Sequence, residues 1–133
     1  HAKILEIANI NREAILHVCK KLLKIPAFSK SKELREMVQV DVSFYENIFY
    51  PMKQALNTWQ LYCILTLDSY MLGTTVFVLL YECLKNKTSN IDVDFHTDVI
   101  KLLAGMIDIN PLSRLRPSSA FEIYKSILEK HYR

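Results

Sequence analysis

Asp92, Asp94, His96 and Asp98 alternate along one short stretch. In an extended chain the four side chains would share a face and offer oxygen and nitrogen ligands to a divalent ion. The stretch has neither the glycine turn nor the closing Glu of an EF-hand loop, so its plainer reading is a capped, solvated connector. His17 and His131 are further histidines that such a cluster would have to recruit from a distance. Cys19 lies two residues from His17, a spacing that turns the two side chains to different sides of a helix and argues against a Cys–His nucleophile pair. There is no Gly-x-Ser-x-Gly, Walker loop or zinc spacing. Phe44, Tyr45, Phe49, Tyr50, Trp59 and Tyr62 could stack on bases, but apolar rather than basic residues surround them, which points to a core.

The charge pattern agrees. The formal net charge of +3 comes from interspersed Lys, Arg, Asp and Glu, and the nearest approach to a basic block, Lys20, Lys21 and Lys24 followed by Lys30 and Lys32, reads as the wet face of a helix and its loop. Neither nucleic acid nor an anionic membrane is implied. The stretch Met71 to Leu80 is interrupted by Gly73, Thr74 and Thr75 and is shorter than the roughly 20 residues of a membrane span. Cys19, Cys63 and Cys83 are odd in number, far apart and set in apolar surroundings, which reads as reduced, mostly buried thiols of an intracellular, cytoplasmic protein. With 133 residues, half of them apolar and only two glycines, the chain is the size of one ordinary domain built of long elements. It begins at His1 rather than Met and reads as a piece of a longer polypeptide.

The elements that would position these residues are mostly helical. Apolar residues from Ile4 to Ile25 recur at helical spacing, as one helix or as two joined near Asn11, and Pro26 ends the run. Phe28 to Glu36 is polar and predicts a loop with one helical turn at most, and Met37-Val-Gln-Val-Asp-Val-Ser-Phe44 alternates as a strand would. Met52 to Leu67 predicts a largely buried helix. Asp68 and Ser69 are positioned to cap a second one, ending at Leu84, which is apolar on nearly all sides and should lie in the middle of the domain. Asp98 is positioned to cap a helix that Asn110-Pro111 ends, and Ser118 or Ser119, with Glu122, starts a last helix whose apolar face is Phe121, Tyr124, Ile127 and Leu128. Five or six helices with one short strand make a mainly α domain.

Two of these segments resemble the C-lobe of protein kinases. Met106-Ile-Asp-Ile-Asn-Pro-Leu-Ser-Arg114, followed by Pro-Ser-Ser-Ala-Phe-Glu-Ile-Tyr, is similar to the end of the catalytic domain, and Leu67-Asp-Ser-Tyr-Met-Leu-Gly73 with the apolar run after it is similar to the start of the central kinase helix. The resemblance covers about Asp68 to Leu128. It implies that Asp68 is the structural aspartate that holds the catalytic-loop backbone, that Gly73 lets its helix pack closely, and that Arg114 is a buried arginine, with Arg116 an alternative register. The glutamate that normally pairs with that arginine is missing, since Gln54-Ala-Leu-Asn57 has no acid. In the first half, Cys19 falls where the family's catalytic base stands, and Asp41 falls near the place of its metal-binding aspartate, a weak metal candidate that reads more simply as a surface residue. No Gly-rich loop and no Val-Ala-Ile-Lys-like strand is found, and phosphoryl transfer depends on those parts.

The expectation is therefore a single α-helical bundle over residues 1–133, resembling a kinase C-lobe, with at most one short β-hairpin, no catalytic residues and no cofactor. It would act as a structural or protein-binding module whose partner, another protein or the rest of a longer chain, covers the face an N-lobe would occupy. The Lys, Asn and Ile content is of the kind an AT-rich genome encodes, such as that of a large DNA virus, which adds a virion component to the expectations. The alternatives are the C-terminal part of an active Ser/Thr kinase whose ATP-binding lobe lies outside this chain, and an unrelated helical scaffold.

Overall fold

The computed structural model describes residues 2–39, 56–86 and 91–132, and among them the chain is a bundle of five α-helices. Helix α1, Ala2–Leu23, runs without a break through Asn9 and Asn11. Ile15, Val18, Cys19 and Leu22 form its buried stripe, at the spacing of one helix face. Ile25 is extended (ψ 123°), as a residue before proline must be, and Pro26–Phe28 make a single 3₁₀ turn that drops Phe28 into the core.

Helix α2, Lys32–Gln39, replaces the predicted loop and the first part of the predicted strand. Ser31 caps it, its Oγ accepting from the Leu34 amide at 3.3 Å. Lys-Glu-Leu-Arg-Glu-Met are all strong helix formers, and once the cap is in place their preference outweighs the alternation that begins at Met37. Leu34 is fully buried, and Met37 and Val38 pack against the core as helical residues. Val40 to Phe44, the rest of that strand, and Asp41 with it, lie outside the described residues.

Helix α3, Leu56–Leu84, is one element of 29 residues where two were expected. A capping residue acts only where the preceding chain is non-helical. With no Gly or Pro between Leu56 and Gly73, Asp68 and Ser69 sit inside a continuous ladder and cap nothing. Thr66, Thr74 and Thr75 fold their hydroxyls back onto the carbonyls of Tyr62, Tyr70 and Met71.

Helix α4, Val93–Met106, starts six residues earlier than predicted, because Asp92 rather than Asp98 is the cap: its Oδ1 accepts from the Phe95 amide at 3.2 Å. The helix stops before Asn110-Pro111. Asp108 and Asn110 then accept from the amides of Asn110 and Leu112, building a polar turn that returns the chain to α5, Pro117–His131. Pro117 occupies the first helical position, where its missing N–H costs nothing, so the serines after it are inside the helix rather than ahead of it.

The helices enclose one core. Helix α1 packs on α2 and α3, α4 packs on α3, α5 and α2, and α5 also reaches α3. The predicted apolar face of α5 holds at Ile127, which is buried, and at half-buried Leu128, whereas Phe121 and Tyr124 are exposed and Ala120 is buried instead. Among the described helices α3 lies at one side rather than in the middle, and its far side has no neighbour among the described residues.

Candidate protein-binding face

The side of α3 that meets the bundle carries Thr66, Ser69, Gly73, Phe77 and Leu84, all buried. Gly73 is where α3 and the end of α4 come closest: a Cβ there would stand 2.8 Å from Ile107 Cγ2 and 2.9 Å from Met106 Cβ. Only a residue without a side chain permits that approach. The Ser69 hydroxyl is buried with no hydrogen-bond partner among the described residues.

One turn towards the N-terminus, Arg114 ties the polar turn after α4 to the same side of α3. Its Nε donates to the Asp108 carbonyl oxygen (2.8 Å), its Nη1 donates to Thr66 Oγ1 (3.4 Å), and its guanidinium lies over the Tyr70 ring, 4.4 Å from the centroid. Burial lowers the arginine's pKa, an effect opposed by Tyr70, Cys63 and Asp108, while burial raises that of Tyr70 against the pull of Arg114. Arginine remains charged through such a shift. Among the described residues no carboxylate forms an ion pair with Arg114, which carbonyl, hydroxyl and ring satisfy instead. Arg116, the alternative register, is exposed and lies over Tyr62 at 5.6 Å.

The remaining sequence candidates are scattered. Asp68 is exposed on the outer side of α3 with no hydrogen bond or ion pair to the described residues, so the contact expected of a structural aspartate is not formed there. Cys19 is fully buried in α1, its thiol pushed up to about 12 by burial, and is therefore a packing residue rather than a nucleophile. His17 is exposed on the same helix. Because residues 93–106 are helical, Asp92, Asp94, His96 and Asp98 do not share the face an extended chain would give them, and among the described residues no group of three His, Cys, Asp or Glu converges as metal ligands. Asp98 instead accepts from Lys130 Nζ (2.9 Å) and His131 Nε2 (2.7 Å), joining the middle of α4 to the end of α5, where the Phe95 ring makes T-shaped contacts with His131 and Tyr132.

What sequence reading missed is the outer side of α3. Leu61, Ile64, Leu65, Met71, Leu72 and Leu79 are exposed there, Ile64 by 71% and Leu72 by 59%. A signal was present: Ile64-Leu65, Met71-Leu72 and Val78-Leu79 are apolar doublets seven residues apart, the repeat of a helix that packs on another helix. A helix apolar on nearly all sides suits the interior of a domain, which masks the seven-residue repeat within it. Leu61–Leu84 is also long and apolar enough to cross a membrane by length and composition, with a mean hydropathy of 1.7 over 18 of its residues, 22% of which are buried in the bundle. Asp68 stands in the middle of the exposed side, where a carboxylate at the centre of a bilayer would cost about 3 kcal/mol.

Compared with protein-family models, with curated proteins and with solved structures, the chain matches none.

Proposed function

We propose that the chain is a non-catalytic helical module that binds another polypeptide through the outer side of α3, and that its C-terminal half is a degenerate kinase-like C-lobe. The observation that carries the binding role is the row of exposed aliphatic side chains from Leu61 to Leu79, interrupted at Asp68 and Thr75. A contiguous apolar patch of that kind is the mark of an interaction surface, whereas scattered apolar residues are ordinary. Charges are sparse on this surface, which favours a protein over nucleic acid, and the partner is either another protein or the rest of a longer chain.

The kinase-like half of the reading is supported by the close packing at Gly73 and by the part-buried Arg114, both at positions the resemblance singles out. A second reading, a helical scaffold outside that family, is favoured by the exposure of Asp68 and by the one-sided packing of α3. The binding face is the same in both.

The test is a photo-crosslinking residue placed in turn at Ile64, Leu72 and Leu79, with Glu129 on the exposed side of α5 as control. One and the same adduct from the three α3 positions, absent from Glu129 and lost when Leu65→Glu is added, is the expected result; equal labelling from all four positions would end the proposal. The non-catalytic part is checked by thermal denaturation with ATP and magnesium, where no rise in Tm is expected. A rise would favour the C-terminal part of an active kinase.

A further inference from the structure

Resting on the reading of α3 as a protein-binding face, we propose that its occupant is the α3 helix of a second copy of this chain, packed antiparallel about a two-fold axis that passes between Met71 and Leu72. The argument is the symmetry of the exposed row. Seven-residue spacing places Ile64-Leu65, Met71-Leu72 and Val78-Leu79 on one side of the helix, and the central doublet lies midway between the outer two. The polar positions on that side obey the same centre, since Asp68 and Thr75 are equidistant from it.

A two-fold operation at that point brings Leu72 against Leu72 of the second copy and Met71 against Met71. It sets Leu65 against Leu79 and Ile64 against Val78, which is half-buried at the edge of the row. Self-complementarity of this kind is what an isologous interface requires.

The polar residues fix the direction. In a parallel, in-register pair Asp68 would oppose Asp68 and Glu82 would oppose Glu82, with like charges facing across a dry seam. In the antiparallel pair Asp68 faces Thr75, whose hydroxyl donates to the Met71 carbonyl in the monomer at 2.9 Å and is free to donate to the carboxylate instead. Glu82, already paired with Lys85 on its own helix, faces Leu61 with its methylenes. Asp68 thereby gains the partner it lacks among the described residues. The row from Leu61 to Glu82 is about 32 Å long at 1.5 Å per residue. Covering it on both copies removes on the order of 1,000 Å² of surface, at the lower edge of specific interfaces.

The experiment is light scattering on the whole chain, followed by charge swapping and directed crosslinking. A dimer is expected at micromolar concentration. Leu72→Glu and Leu72→Lys should each raise the dimer dissociation constant at least about 100-fold, with unchanged circular dichroism because the side chain is exposed, and an equimolar mixture of the two variants should re-form a dimer. With Cys63 and Cys83 replaced by Ser, mixed Leu65→Cys and Leu79→Cys chains should form the disulfide between positions 65 and 79, with no self-linking of either. A monomer overturns the inference, and if the α3 crosslinks then go to a different protein, the binding role survives while the self-association does not. A link between two Leu65→Cys chains also overturns it, by making the pair parallel. A monomer that binds phosphatidylcholine vesicles through α3 overturns both the inference and the protein-binding role.

Discussion

The two long sides of α3 invert the usual order of a helix in a globular protein. The side facing the bundle carries Thr66, Ser69 and Gly73 alongside Phe77 and Leu84, whereas the side facing away carries Leu61, Ile64, Leu65, Met71, Leu72 and Leu79. On the inner side small residues bring helix axes together, and dispersion between closely packed backbones replaces the area that bulky side chains would bury. On the outer side bulky aliphatics stand clear of the bundle, where they contribute to the monomer only through helix propensity. Hydrophobicity alone therefore does not rank the positions of α3 by their importance to the fold, and substitutions on the two sides should behave in opposite ways.

The largest effect should come from breaking the inner side at its closest point. Gly73→Val drives methyl groups into Ile107 and Met106, and should destabilise the chain by about 3 kcal/mol, read as a fall in Tm of roughly 10 °C. Should the Tm hold, α3 and α4 are not in contact as described. Arg114→Ala removes two hydrogen bonds and a ring contact from a part-buried site and should cost about 2 kcal/mol in urea denaturation, with Arg114→Lys recovering only part because a point charge cannot serve three partners in a plane.

Ser69→Ala sharpens the comparison in the other direction. Removing a buried hydroxyl that has no partner among the described residues should stabilise the chain by about 1 kcal/mol, so that losing a polar group on the inner side raises Tm. On the outer side Leu72→Glu should leave the stability of the monomer within about 0.5 kcal/mol of the parent, measured at concentrations low enough to suppress association.

A pH-dependent effect belongs to a site remote from both sides. Hydrogen bonds from His131 and then Lys130 hold the Asp98 carboxyl below the usual aspartate range. The folded state thus binds this proton less readily than the unfolded chain, so the contribution is fully present above pH 3.8 and is lost as the pH falls through the lower folded value. Asp98→Asn should lower stability by less than about 1 kcal/mol at pH 6, because the pair is near the surface, and the gap to the parent should close as the pH approaches 2. A gap that persists there would assign the effect to packing around Phe95.

How far the sequence could be read differs from element to element. The helical class, the stop at Pro26 and the stripe of α1 were legible because each follows from local rules of periodicity and proline geometry. Helix starts were less so: Asp92 and Asp98 are both good caps, as are Ser31 and Ser119, and the choice depends on where the chain before them is already helical. Of the positions marked by resemblance, Gly73 and Arg114 fall at the contacts between α3, α4 and the polar turn, whereas Asp68 stands in the open. Residue type gave no warning of that separation, since an aspartate near the middle of an apolar helix suits a buried hydrogen-bonded role and an exposed one equally.

The sequence by itself determined that this chain would be built of long helices, because propensity and periodicity act over a few residues; apolar surroundings did not decide burial in the same way, since Cys19 is buried, Cys63 half-buried and Cys83 exposed. Only the tertiary structure decided which side of α3 would be covered. A helix apolar on both sides can bury either, and the choice fell to the one that Gly73 allows α4 to approach and that Arg114 can reach, leaving the leucines outside.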